Sequence, residues 1–543
     1  RFPLIVRAKA MVDGSRLVSV VGVVHSNHGD LNDSGGKSRF LMPAGYYPII
    51  YVRGFAATQG EINEAADDPF SGFNLGSTVH RPDTKTAWPE PVAFEGPLVR
   101  LIDDYGYIDA IERGKHNQLP TSSDREIDPF KTIWIFRYYD NLSTRFPNRS
   151  STRDEMVELG KKLYDFVGEV RKKTGSAKVH LVAHSMGGLV CRCLVQKIYA
   201  ERRRLGTAQE IAERNVGEIA RLFTYATPHN GIESQYAALA VLGNFFTGTG
   251  MLGTDVFRHD VMRNYLADKI PVDFAPNRLT GLPLEDAFCL VGTNAADYPV
   301  AGTLSRRVIG PHSDGLVLIR NASLRGVGRI YLHRSHSGPF GIVNSEEAYR
   351  HLANFLFGGV MILELKPDGD PVDSDDEDLS LHADVTVARG DGAEICNDAS
   401  RTKFCPVRLG AGFLRNEPTI LLTLPVPDFS RSSPLTVKVA LGFYALPESV
   451  NSTAVTLLPD WSGVLTISVK NRQETTMVWQ TPRQKPDITR EIRLPDSFQL
   501  LRTKLKIALR WQERNDAEPL GARTPRPLNL GGGGMDFPVA LGV

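Results

Sequence analysis

The stretch KVHLVAHSMGGLV, Lys178–Val190, sets an apolar, partly β-branched run against a lone serine followed by two glycines. The run Lys178–Ala183 reads as a strand, and MGGLVCRCLVQKIYAERRR after Ser185 reads as a helix. A serine in so sharp a strand-to-helix turn takes strained backbone angles, and the residues two before and two after it must be small to let strand and helix approach. Ala183 and Gly187 occupy those places. Such a turn lifts the serine hydroxyl to the carboxyl edge of a sheet, where the N–H groups opening the helix face developing negative charge. The competing reading is a serine that merely caps an ordinary helix.

Working outward, short strand-like runs alternate with longer amphipathic stretches, the pattern of strand–helix–strand units around a mostly parallel sheet. Strands are expected in RLVSVVGVV (Arg16–Val24), PIIYV (Pro48–Val52), TIWIFR (Thr132–Arg137), KVHLVA (Lys178–Ala183), IARLFTY (Ile219–Tyr225), AFCLVG (Ala287–Gly292) and RIYLH (Arg329–His333). TRDEMVELGKKLYDFVGEVRKK begins with Thr152 and early acids and ends in bases, which suits a helix and its dipole. SEEAYRHLANFLFG repeats the plan, with Ser345 as N-cap and Gly358 as stop.

Lys plus Arg (63) almost balances Asp plus Glu (62), so no global field draws the protein to nucleic acid, and a neutral, apolar substrate is the better fit. No apolar run approaches the ~20 residues that span a bilayer. The opening RFPLIVRAKA lacks the apolar centre of a secretory signal, the start at Arg1 leaves room for a removed leader, and the compartment and oligomeric state stay open. The five cysteines fit neither a disulfide framework nor a zinc pattern. Cys191 and Cys193 read as small buried hydrophobes on a helix, while Cys396 and Cys405 bracket a polar loop and suit a disulfide or two free thiols equally.

Beyond Gly359 the texture changes. KPDGDPVDSDDEDLS is a Pro/Asp-rich acidic loop whose acids do not follow EF-hand spacing. Alternating strands follow in LHADVTVA, TILLTLPV, LTVKVALGFY, GVLTISVK, TTMVWQ and TKLKIALRWQ, the signature of an all-β, sandwich-like module. The expected organisation is a catalytic α/β domain over 1–359, an acidic linker over 360–378, a β-sandwich-like domain over 379–520 and a Gly/Pro-rich tail over 521–543.

AHSMGG resembles the nucleophile turn of microbial lipases in the α/β-hydrolase superfamily. PIIYVRGFAA is similar to the strand and oxyanion loop of that family, TYATPHNG to its TPHxG turn, and SDGLV with a late histidine to its acid and base segments. The resemblance covers roughly residues 47–358 and implies a Ser-Asp-His chain order on an α/β-hydrolase fold. It implies Ser185 as nucleophile and the N–H groups of Phe55 and Met186 as oxyanion donors. Arg53 stands where the family has histidine before the oxyanion glycine.

The acid must follow the strand Ala287–Gly292. Asp314, in the matching DG-hydrophobic-V segment, is favoured over Asp297. For the base, His336 lies in the loop after the last strand and is favoured over His333, which still belongs to the strand by alternation. His184 projects away from Ser185 and is a poor base, and His229 and His312 read as loop-structuring residues. Between TPHNG and the acid, about 232–280, an apolar, Gly-rich insertion with Phe245, Phe246, Met251, Leu252 and Phe257 suits a lid over acyl chains, or alternatively helices packed permanently on the core.

The expected activity is hydrolysis of carboxylic esters, lipid esters first, through an acyl-enzyme and without metal or organic cofactor. An acyltransferase on the same scaffold shares every one of these residues, and a non-catalytic surface-binding protein is the reading from another class. The β module suits attachment to a lipid surface or a structural role.

Overall fold

A computed structural model describes residues 4–12, 16–24, 46–54, 56, 59–82, 89–112, 114–120, 127–140, 143, 156–205, 216–232, 254–267, 274–298, 312–368 and, further on, 379–389, 394–396, 407–409, 419–426, 435–447, 461–470, 474–480, 492–493 and 504–512. The chain divides into two compact units, Tyr46–Leu356 and the remainder, Arg1–Gly45 with Phe357–Val543.

The first unit is built on a seven-stranded sheet of β1 (Ile49–Val52), β2 (Ile108–Asp109), β3 (Thr132–Ile135), β4 (Val179–His184), β5 (Ile219–Tyr225), β6 (Ala287–Gly292) and β7 (Gly328–Leu332). Its spatial order is β7-β6-β5-β4-β1-β3-β2. Every neighbouring pair is parallel. β1, β3, β5 and β6 are buried at every residue, which explains why, apart from Thr132, Arg221 and Thr224, they carry no polar side chains: helices cover both faces. The outer strand β7 alternates buried and half-buried residues instead. This is the α/β-hydrolase fold, with a mostly parallel sheet between helices.

Among the helices, α1 (Met156–Thr174) buries Met156, Leu159, Gly160, Leu163, Tyr164, Val167 and Val170, a stripe at helical spacing, and keeps Arg171, Lys172 and Lys173 in its last turn. Thr152, expected as its cap, lies outside the described residues. α2 (Met186–Cys193) follows the serine and continues through one π-helical turn, Leu194–Ile198, into Tyr199–Leu205. α1 and α2 pack closely, since a Cβ at Gly160 would stand 2.8 Å from Cys193 Sγ. Within the insertion, α3 (His259–Leu266) buries Met262, Tyr265 and Leu266, and Val256 and Phe257 join the same core. Phe257 therefore packs as core. Phe245, Phe246, Met251 and Leu252 lie outside the described residues. The closing helix α4 (Glu346–Phe357) is capped as expected, the Ala348 N–H donating to Ser345 Oγ at 3.3 Å.

Two expectations need correction. Arg16–Val24 is a strand, but it pairs with Leu4–Val12 in a two-stranded antiparallel sheet along all nine residues and takes no place beside β1. The adjacent segment satisfies its backbone groups, and the boundary expected at residue 1 falls at Tyr46. The acidic linker also starts later than expected, because Gly359–Asp368 is a strand paired on both sides, with Thr419–Val426 and Lys504–Gln512.

From Gly359 on, the described residues of the second unit are strands, forming a four-stranded and a six-stranded antiparallel sheet. All six strands expected there are present within a few residues, joined by Glu394–Cys396, Val407–Leu409 and Ile492–Arg493. Cys405, residues 369–378 and the tail lie outside the described residues. Cys191, Cys193 and Cys289 are buried free thiols.

Candidate active site

β4 and α2 meet at Ser185, whose φ of 53° and ψ of −129° are strained for any residue with a side chain. Three contacts hold it there. Its N–H donates to the Tyr225 carbonyl at 2.8 Å, and its own carbonyl accepts from the Gly188 N–H at 3.0 Å and from Thr227 Oγ1 at 2.9 Å. The small neighbours follow from close approach: a Cβ at Gly187 would lie 2.2 Å from the Val52 carbonyl oxygen, and one at Gly54 2.6 Å from Ser185 Cβ. A Cβ at Gly188 would stand 2.1 Å from Thr227 Oγ1, which gives the TPHNG turn its part in the serine's support.

Gly187→Ala is expected to destabilise the protein by about 2 kcal/mol or more and to abolish activity in what still folds, because both nearest atoms are main chain and cannot swing aside. Chemical denaturation with parallel ester assays checks this.

His336, four residues past the Leu332 end of β7, places Nε2 2.9 Å from Ser185 Oγ and Nδ1 2.9 Å from Asp314 Oδ2. With the carboxylate accepting at Nδ1–H, Nε2 is free to accept the serine proton. The other Asp314 oxygen accepts the N–H groups of Leu316 at 3.0 Å and Val317 at 2.7 Å, so the acid is held by its own turn. Gly315 makes that turn at φ 103° and passes so close to Tyr298 that a Cβ would stand 2.3 Å from the tyrosine Cβ. Tyr298 in turn lays its ring edgewise on His336, centroids 5.9 Å apart. Ser185, Asp314 and His336 are all buried.

The alternatives lie elsewhere. Asp297 is exposed and bound to Asn294 Nδ2 at 2.6 Å, and His333 is exposed beyond the end of β7. Met186 is buried at the first turn of α2, where a main-chain N–H has no intrahelical acceptor. Phe55 lies outside the described residues, although its neighbours Arg53, Gly54 and Ala56 are described.

Of the groups that support the triad, the loop-structuring role of His229 was legible in the sequence and the others were not. His184 donates Nε2–H to the His336 carbonyl at 2.8 Å, and burial, aided by the nearby His336 ring, pushes it down to about 3, so it stays neutral. His229 is buried against Thr224 Oγ1 at 3.0 Å and is likewise pushed well down by burial.

Both histidines bind a proton more readily in the unfolded chain, so the unfolded state gains protons as pH falls below about 6.5. Stability is expected to decline from there toward pH 3, each histidine adding up to about 1.4 kcal/mol per pH unit while it titrates. His184→Gln should flatten the decline in a pH series of denaturant midpoints.

Arg192 of α2 is fully buried. It donates to Gln196 Oε1 and to the carbonyls of His229, Pro276 and Arg278, tying α2 to two loops. Burial lowers the guanidinium to about 10, still protonated at neutral pH. Among the described residues no group of three or more His, Cys, Asp and Glu is placed to hold a metal, and no helix is long and apolar enough to cross a membrane.

Residues 142–249, which include Ser185 and the TPHNG turn, match a family described as "Putative serine esterase (DUF676)". No curated protein matches the chain. Similar solved structures include phospholipase PlaB from Legionella pneumophila, 12% identical over 76% of this chain and 91% of that one with a TM-score of 0.29. The lin2722 product of Listeria innocua is 12% identical over 57% of this chain and 94% of that one, TM-score 0.25. At such identities and scores these likenesses carry no weight for substrate.

Proposed function

We propose that this serine hydrolase of the α/β-hydrolase superfamily cleaves carboxylic esters of lipids through an acyl-enzyme on Ser185. The observation that carries the reading is the unbroken chain from Ser185 Oγ through His336 to Asp314, both links at 2.9 Å, on a strained strand-to-helix turn. Ser185 Oγ attacks the acyl carbonyl as His336 Nε2 takes its proton. The tetrahedral oxyanion is met by the N–H groups of Met186 and Phe55. Collapse expels the alcohol, which receives the proton from His336, and leaves the acyl group on the serine. Water, deprotonated by the same imidazole, then releases the acid. Asp314 stays ionised, fixing the tautomer and stabilising imidazolium.

The lipid preference is supported by the near-neutral charge balance and by the aromatic, Gly-rich insertion that follows TPHNG in the sequence. The test is hydrolysis of p-nitrophenyl esters from short to long acyl chains, below and above the concentration at which each substrate aggregates. Rates that rise with chain length and with aggregation are expected. A preference for short, soluble esters would overturn the lipid assignment, and acyl transfer to added alcohol outpacing hydrolysis would favour the transferase reading.

A further inference from the structure

The segment that follows β3, FRYYD (Phe136–Asp140), adjoins the loop that follows β1, because the two strands are neighbours in the sheet. Its two tyrosines are buried side by side, ring centroids 4.2 Å apart. Their hydroxyls address main-chain groups on either side of Phe55. Tyr139 Oη accepts the Ala56 N–H at 2.8 Å and donates to the Gly54 carbonyl at 3.0 Å, so the phenol is built into the loop as a bridge. Tyr138 Oη donates to the Arg53 carbonyl at 2.9 Å, with the Gly54 carbonyl 3.1 Å away. Burial pushes the Tyr139 hydroxyl up to about 12 and the Tyr138 hydroxyl well up too, so both remain donors at any working pH.

A buried tyrosine is satisfied by one acceptor anywhere. Two consecutive ones on one short loop, both aimed at its main chain, constrain something particular. The Gly54 carbonyl belongs to the planar peptide unit that also carries the amide of residue 55, so fixing the carbonyl direction fixes the amide direction. On the other side Gly54 presses on Ser185, and the Arg53 carbonyl presses on Gly187 at the start of α2. The loop is thus clamped between the nucleophile turn and the tyrosine pair.

We propose that Tyr138 and Tyr139 are positioning residues that hold the peptide plane of the oxyanion loop, through hydroxyl bonds to Arg53, Gly54 and Ala56, in the orientation that serves the transition state. The inference rests on the proposed serine esterase mechanism and adds the device that presets its main-chain donor. Such presetting matters because a donor already aimed at the oxyanion costs no reorganisation during the reaction. Neither tyrosine touches the reacting atoms in this account.

The test uses Tyr139→Phe, the milder Tyr138→Phe and the double variant of the full chain, assayed on a p-nitrophenyl ester and on the matching thionoester. In the ester the developing charge falls on oxygen, and in the thionoester on sulfur, a much weaker hydrogen-bond acceptor. The ester-to-thionoester rate ratio therefore reports the oxyanion donors, and it is independent of how much of a sample is folded. Loss of an oxyanion donor costs about 100- to 1,000-fold in kcat, and a misaimed donor keeps part of its effect. Tyr139→Phe is expected to lower kcat on the ester by about 10- to 100-fold with KM within twofold, and to lower the ratio by a similar factor. A ratio equal to that of the unaltered protein in all three variants, whatever their melting temperatures, would overturn the proposal and leave the tyrosines as core packing. Ser185→Ala in the same assay separates the two levels: if it stays active the mechanism itself fails, and if it is inactive while the ratio holds, only the clamp does.

Discussion

Replacing Ser185 by alanine is expected to lower kcat on p-nitrophenyl esters by about a million-fold, the scale on which nucleophile loss acts when serine, imidazole and carboxylate work as one unit. The residual rate comes from binding and the oxyanion donors, which the substitution leaves in place. Stability should barely change. The serine is held by its main chain, through Tyr225, Gly188 and Thr227, and among the described residues its hydroxyl bonds to His336. Alanine keeps the strained φ of 53°, whereas Ser185→Gly relaxes it and should melt no lower than the alanine variant. A serine that was only a helix cap would behave oppositely: its loss would cost about 1 kcal/mol and leave turnover intact. Kinetics and thermal melts on the same three proteins distinguish these cases.

Asp314→Asn carries the second-largest expected effect, a loss of about ten-thousand-fold in kcat with the fold preserved. The cause is the tautomer rather than the charge alone. Asp314 accepts at three places, from His336 Nδ1 and from the N–H groups of Leu316 and Val317. An asparagine retains its oxygen for the Leu316 and Val317 N–H groups and turns its NH2 toward His336 Nδ1. That nitrogen must then accept, which puts the proton on Nε2, where it can no longer take one from Ser185. The loss should shrink at alkaline pH, where hydroxide can serve as base. Asp297→Asn, by contrast, should change kcat less than twofold, since that side chain is exposed and engaged with Asn294. Equal effects of the two substitutions would contradict the assignment of the acid.

Much of the fold was legible because its strands obey one rule. Ile219–Tyr225 and Ala287–Gly292 are buried throughout and, apart from Arg221 and Thr224, lack polar side chains, as strands covered on both faces tend to, and their limits in the structure coincide with those read from sequence. The same reasoning failed at Arg16–Val24, since period and composition identify a strand without naming its partner, and here the partner is the preceding segment. It failed again at Gly359–Asp368, where the strand GVMILELKPD runs directly from the helix stop at Gly358 into the acidic stretch.

The site divides in the same way. Ser185 carried its signal in the flanking small residues, whose necessity appears in the 2.2 Å that would separate a Cβ at Gly187 from the Val52 carbonyl oxygen. Asp314 and His336 could be chosen over Asp297 and His333 from their places after β6 and β7, because the ends of neighbouring parallel strands converge on one edge. The supporting shell could not be read this way. Tyr138 and Tyr139 follow the run TIWIFR read as a strand, and only the adjacency of β1 and β3 brings their hydroxyls to Gly54. Arg192 lies within the stretch read as a helix, and its carbonyl partners at His229, Pro276 and Arg278 are 37 to 86 residues away in sequence. Nothing local in the sequence announces them.

The most direct measurement is covalent labelling of the intact protein with a fluorophosphonate, followed by mass spectrometry of its peptides. The account predicts one phosphonyl group per chain, carried by the peptide containing AHSMGG at Ser185, with no labelling after Ser185→Ala and labelling slowed by at least a hundredfold in His336→Ala. Label on another residue, or an unlabelled protein that still hydrolyses esters, would contradict it.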